Sequence, residues 1–188
     1  MRLVLASASP RRADLLRAAG FDFIVRSAVV NEAVLPGERP DAYVLRLAHA
    51  KAAAVPRGDQ DIVLGADTVV VSDGEMLGKP ADREEAAAML RRLSGRSHDV
   101  ITGVALRGEA LVLDGIGRAR VTFAPLEPDE IAWYVASGEP FDKAGGYGIQ
   151  GLASRFVERV EGSYTAVVGL PVDIVHRLLR KGGGLDRR

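Results

Sequence analysis

Residues 3–12 set a strand against a helix at the very start of this chain. Leu3-Val4-Leu5-Ala6 is wholly apolar, too short for a helix and of the length of a buried strand. The run ends in two hydroxyl residues, Ser7 and Ser9. Pro10 then suits the first position of a helix, with Ser9 as its N-cap. Arg11 and Arg12 fall in the first helical turn, where cations oppose the helix dipole. They make sense there if an anion sits among them, because backbone N–H groups, serine hydroxyls and guanidinium forks converge on a phosphate in this way. The plainer reading is an ordinary strand–turn–helix with two exposed arginines.

The rest of the chain continues the alternation. The first helix ends near Gly20, and Phe21 to Val25 reads as a strand. Val29 to Arg39 is loop-like. Ala42 to Val55 reads as a helix on the spacing of Val44, Leu45, Leu47 and Ala48. Ile62-Val63-Leu64 begins a strand that Gly65-Ala66-Asp67-Thr68 interrupts and Val69-Val70-Val71 resumes, ahead of a turn at Ser72 to Glu75. Asp82 caps a helix to Leu93. Val100 to Leu106 and Leu111 to Phe123 read as long strands joined by a hairpin. Pro128 to Ala136 is a helix, and Gly138 to Gly151 a glycine-rich binding loop. Arg155 to Val160 and Tyr164 to Val168 read as strands, and Val172 to Leu179 as a last helix. The expectation is an α/β fold, a mixed sheet flanked by helices, in one domain over 1–180 with a disordered tail at 181–188.

Composition narrows the function classes. The 188 residues and 47% apolar share fit one soluble globular domain with a sizeable core. Zero formal net charge removes any whole-chain attraction to nucleic acid or an anionic membrane, so a positive site must be local. The absence of cysteine excludes disulfides and thiolate chemistry. No apolar stretch approaches a membrane span, and the N-terminus has no signal-peptide shape, so a cytoplasmic location is expected. No Gly-x-Gly-x-x-Gly or Gly-Lys-Ser/Thr loop is present, which weighs against Rossmann and P-loop enzymes.

Asp67 is the first catalytic candidate. It interrupts an apolar strand, and a carboxylate there needs a cation partner, a metal or a catalytic task. A structural salt bridge is the competing explanation. Glu32 offers a second carboxylate, and two carboxylates facing a polyphosphate suit Mg²⁺. Taken alone, Glu32 reads better as a surface charge, and Lys51 as a snorkelling surface lysine. Lys79 lies in the tight loop Gly78-Lys79-Pro80. Gln150, in the glycine-rich loop, has the donor and acceptor that base-edge recognition requires. His49, His98 and His176 share no ligand spacing and read as structural. A Ser7–His98–Asp67 hydrolase triad has no nucleophile-elbow sequence behind it.

Five segments in order resemble the Maf family of nucleoside triphosphate pyrophosphatases: Ala6-Ser7-Ala8-Ser9-Pro10-Arg11-Arg12, Gly65-Ala66-Asp67-Thr68, Gly78-Lys79-Pro80, Leu93-Ser94-Gly95 and Gly138 to Gly151. The resemblance covers the chain to about Leu179. The loop with Asp142-Lys143-Ala144-Gly145 and Tyr147-Gly148-Ile149-Gln150-Gly151 resembles the branch acting on dTTP and UTP rather than the branch acting on 7-methyl-GTP. The resemblance implies a strongly twisted mixed sheet related to the inosine-triphosphate pyrophosphatases, a homodimer, and a divalent metal (Mg²⁺ or Mn²⁺). The implied reaction is NTP + H₂O → NMP + pyrophosphate. By match of motif, Asp67 is the proton acceptor. Arg11, Thr68 and Gln150 set base specificity. Ser7, Arg12, Glu32, Lys51 and Lys79 surround the triphosphate and metal, with Glu32 and Asp67 as metal ligands.

The chemistry agrees with that assignment. A triphosphate brings about four negative charges, which arginine, lysine and a divalent ion must offset. An aspartate of ordinary pKa, about 3.9, is a weak base, and a metal-attended water is a better proton donor to it. The rival readings are a 7-methyl-GTP pyrophosphatase and a nucleotide-binding regulator of cell division with little turnover. Asp67 among several cations favours the enzyme, since binding alone gains nothing from a carboxylate beside a phosphate.

Overall fold

The computed structural model describes residues 2–27 and 29–183. Among them, seven strands form one mixed sheet in the order β2-β1-β3-β5-β6-β7, with β4 paired to β3. The strands are β1 (Arg2–Ala6), β2 (Phe23–Val25), β3 (Asp61–Ser72), β4 (Glu75–Leu77), β5 (Ser97–Arg107), β6 (Val112–Phe123) and β7 (Val157–Gly162). The helices are α1 (Pro10–Ala18), α2 (Pro40–Ala54), α3 (Arg83–Leu93), α4 (Pro128–Ala136), α5 (Tyr164–Val168) and α6 (Val172–Lys181). β1 runs parallel to both β2 and β3, while β3–β4 and β6–β7 are antiparallel. No helix is long and apolar enough to cross a membrane.

The chain divides into two compact units. The first comprises the described residues of 2–67, 102–117 and 169–183, and the second 68–101 and 118–168. In the first unit the unbroken apolar run of β1 has a direct cause. Successive strand side chains point to opposite faces. Leu3 and Leu5 join Ile62 and Leu64 of β3, Leu16 of α1, and Val175 and Leu179 of α6. Val4 and Ala6 join Val63 and, from the segment of α2, Ala52 and Val55. Both faces are covered, so no position is left for a polar residue. The second unit has its own core, built from α3, α4, β6 and the ring cluster of Phe123, Tyr134, Tyr147 and Phe156.

Four local expectations change. β3 is continuous through Gly65 to Thr68, where the sequence reads as a break. A ladder needs only backbone groups, so a polar or small side chain does not interrupt it. Tyr164–Val168 is a helix, not a strand. Ser163 starts it, its carbonyl accepting from the N–H groups of Ala166 and Val167 and its hydroxyl from Ala166, and this outweighs the β-branched valines. The strand expected from Arg155 instead occupies Val157–Gly162, after a 3₁₀ turn over Leu152–Phe156. At the C-terminus, α6 takes in Lys181, and Gly182 and Gly183 form a turn. The remainder of the expected tail, 184–188, lies outside the described residues.

Candidate active site

Gly65 and Asp67 stand two apart on β3 and therefore point to the same side of the strand. A Cβ on Gly65 would lie 2.0 Å from the Ala48 carbonyl oxygen and 2.8 Å from the Ala52 nitrogen. Gly103 on β5 is likewise pressed against Val44, its Cβ position 2.7 Å from the backbone carbonyl. The two glycines let the backbone of α2 lie directly on the strands. Lys51, one turn after Ala48, then reaches Asp67: Nζ donates to Oδ1 at 2.6 Å, and both side chains are buried. Lys51 Nζ also pairs with Glu32 Oε1 at 2.6 Å. One ammonium thus bridges two carboxylates; the snorkelling explanation for the buried Lys51 does not hold, while Glu32 stays on the surface with its side chain 41% exposed. Breaking a buried pair by removing one partner typically costs about 3–5 kcal/mol, because the other charge is left uncompensated.

Burial pushes the Asp67 carboxyl up from its ordinary range, against the opposing pull of Lys51 and Arg12. A raised pKa makes Asp67 a better base than an aspartate in water.

The loop carrying Glu32 is strapped to α2 by groups the sequence reading did not single out. Tyr43 Oη donates to the Glu32 carbonyl at 3.1 Å. Arg46 donates to the Ala33 carbonyl at 3.0 Å and forks onto the Glu38 carboxylate at 2.6 and 2.7 Å. Arg46 holds the Glu38 carboxyl down at about 2. The available signal was spacing. Tyr43 and Arg46 stand three apart on one helix, a pair of polar residues that points to a common polar neighbour.

The opening turn is more occupied than its sequence implies. Ser9 takes the N-cap position of α1 but makes no side-chain cap hydrogen bond. Ser7 is buried, and its hydroxyl accepts from the Ser9 N–H and from Arg12 Nη1, both at 3.2 Å. Arg12 Nε donates to the Gly169 carbonyl at 2.8 Å, and burial lowers the guanidinium pKa, with Asp67 opposing. Arg12 is therefore fixed in place before any anion arrives. Arg11 is half-buried beside it on α1.

Thr68, Lys79 and Gln150 belong to the second unit. Thr68 follows Asp67 on β3 and is half-buried. Lys79 is exposed in the loop after β4, which is tied to the glycine-rich segment where the Gly145 N–H donates to the Gly78 carbonyl at 2.9 Å. Gln150 is exposed. His98 is buried and bonds the Tyr147 hydroxyl through Nε2 at 2.8 Å, which commits that nitrogen elsewhere than a hydrolase triad. His49 pairs with Asp114, and His176 lies against Phe21.

No group of three or more His, Cys, Asp and Glu side chains that would hold a metal occurs among the described residues. The Asp67–Glu32 pair nevertheless fits one kind of cation. Mg²⁺ is commonly held by one or two carboxylates together with substrate phosphates, not by an all-protein cage. Lys51 pairs with both carboxylates at 2.6 Å, which brings the two to one point.

The Maf-like protein family profile matches residues 2–182. The dTTP/UTP pyrophosphatase of Anaeromyxobacter sp. (strain Fw109-5) is 54% identical over 187 residues, covering 97% of this chain and 90% of that protein. The protein of the same name from Koribacter versatilis (strain Ellin345) is 50% identical, covering 98% and 96%. Among solved structures, a HAM1 protein from Coxiella burnetii aligns over 96% of this chain and 99% of its own, at 17% identity and a TM-score of 0.50, a likeness of fold.

Proposed function

Because the chain belongs to the Maf family, we propose that it hydrolyses nucleoside triphosphates, dTTP and UTP foremost, to the monophosphate and pyrophosphate. The observation that carries this reading is the buried Asp67 whose carboxyl is raised and held by Lys51. Asp67 takes the proton from a water whose oxygen attacks the α-phosphorus. The α–β P–O bond breaks, and pyrophosphate leaves with the electron pair. Lys51 keeps the Asp67 carboxylate oriented and ionised, and Arg12 offsets phosphate charge, a task that family membership also gives to Lys79. Ser7 orients Arg12. Arg11, Thr68 and Gln150 choose the base, Gln150 through an amide that both donates and accepts. Asp67 and Glu32 would hold a divalent cation, Mg²⁺ or Mn²⁺, which when bound adds charge compensation and makes a nearby water more acidic.

This reading takes in the whole of 1–180 as the catalytic domain, working in the cytoplasm as a homodimer. The chemistry is tested by incubating the purified protein and Mg²⁺ with dTTP, UTP, 7-methyl-GTP, ATP and GTP, and measuring pyrophosphate and monophosphate. Turnover of dTTP and UTP above the purines is expected. Release of inorganic phosphate, preference for 7-methyl-GTP, or binding without turnover would each overturn it. Sedimentation of the same protein checks the dimer.

A further inference from the structure

Gln150 is exposed, so its amide selects a base only if the backbone beneath it is already fixed. A side chain ordered only on binding loses affinity and discrimination. The backbone on both sides of Gln150 ends on one phenol–carboxylate pair. The Gly148 N–H donates to Tyr134 Oη at 3.1 Å, and the Tyr134 hydroxyl donates to Glu139 Oε1 at 2.9 Å. Leu152 N–H donates to Glu139 Oε2 at 2.9 Å. Between these anchors the turn is closed by the Gly151 N–H on the Gly148 carbonyl, 3.0 Å. Lys143 Nζ, donating to the Glu139 carbonyl at 2.6 Å, secures the carboxylate's own residue.

The pair is rigid at its root. Tyr134 is fully buried in the core of its unit, edge-on to Phe156 with ring centroids 5.4 Å apart. Burial and the Glu139 hydrogen bond push its phenol far above the ordinary tyrosine value, so it stays a donor. The Glu139 carboxylate lies so close under the turn that a Cβ on Gly151 would come within 2.4 Å of both its oxygens. The glycine after Gln150 is the residue that lets the carboxylate reach the backbone.

We propose that Tyr134 and Glu139 are positioning residues for base selection, holding 148–152 so that the Gln150 amide is presented in one orientation. This rests on the role given to Gln150 above. The test is a cycle of Tyr134→Phe, Gln150→Ala and the double variant, with kcat/KM measured for UTP and GTP. Tyr134→Phe keeps the buried ring and removes the hydroxyl. It is expected to lower the UTP-to-GTP ratio by about three- to tenfold, mostly through KM for UTP, the size of one lost hydrogen bond. In the Gln150→Ala background the same change is expected to do nothing further to the ratio. A merely structural role would lower stability and leave the ratio alone. Should Tyr134→Phe fail to fold, Glu139→Gln, at a half-buried position, carries the same expectation. If Gln150→Ala collapses the ratio and the positioning variants do not, the inference fails and the Gln150 role stands. Additive effects in the double variant also overturn it. An unchanged ratio in Gln150→Ala overturns both.

Discussion

Asp67 is held by an ammonium at 2.6 Å, yet burial raises its carboxyl. Both effects act on basicity, in opposite directions: the loss of water raises the carboxyl and outweighs the lowering by Lys51 and Arg12, while the ion pair also fixes its orientation. The kcat/KM profile should therefore rise with pH through a limb above about 3.9, the ordinary aspartate value. Asp67→Asn should keep the fold and lower kcat by about 10² to 10⁴, the usual share of a positioned base. A steady-state pH series on the wild type and variant checks both. A limb at the ordinary value, or near wild-type turnover in the variant, would contradict the role. Asp67 itself was legible in the sequence, as a charge inside an apolar strand. Lys51 was legible only through family resemblance, because the residue alone reads as a surface lysine.

Helix α2 acts as a mounting plate, and Gly65 sets how near it comes. Gly65→Ala puts a methyl group into the Ala48 carbonyl, so the helix must retreat and draw Lys51 off Asp67. Overpacking of this kind costs about 1–3 kcal/mol. The expected result is a lower urea midpoint together with a kcat loss larger than that destabilisation explains. Arg46→Met tests the other end of the plate. It removes the fork on Glu38 and the bond to the Ala33 carbonyl, loosening the loop that carries Glu32. The Mg²⁺ concentration for half-maximal rate should rise several-fold, about the effect of losing one or two charged hydrogen bonds, with kcat at saturating Mg²⁺ much less changed. An unchanged metal titration would remove Glu32 from the metal site. Helical periodicity in the sequence located α2 within two residues, but not the strands it rests on. That contact lies in the two glycines, which carry no periodic signal.

At the scale of the whole molecule, acid should weaken the fold in two stages. His98 is held neutral by burial, with its pKa down from 6.5 to about 4. The unfolded chain binds that proton first, so stability falls as pH drops from about 6.5 to 4, by roughly 3 kcal/mol for such a shift. Asp61, paired with Arg2 at 2.8 Å, and Glu38 are both depressed to about 2. Their contribution is present above the unfolded carboxylate range and is lost as pH falls through about 2. Asp67 works in the opposite sense, since a raised carboxyl contributes most below its unfolded pKa and loses that contribution as pH rises. Urea unfolding across pH 2–8 should show both stages, and His98→Gln should flatten the first. Periodicity and side-chain type are local properties, and they were enough to find most helices and strands, the buried character of β1 and Asp67 as a charge inside an apolar strand, though not β4 or the helical state of α5. That Lys51 bridges Asp67 and Glu32, that Arg46 straps the loop and that Tyr134 and Glu139 hold the backbone at 148 and 152 could be read only from the packed chain. Those contacts depend on how closely backbones approach, and the glycines that permit it look alike in sequence whether or not anything lies against them.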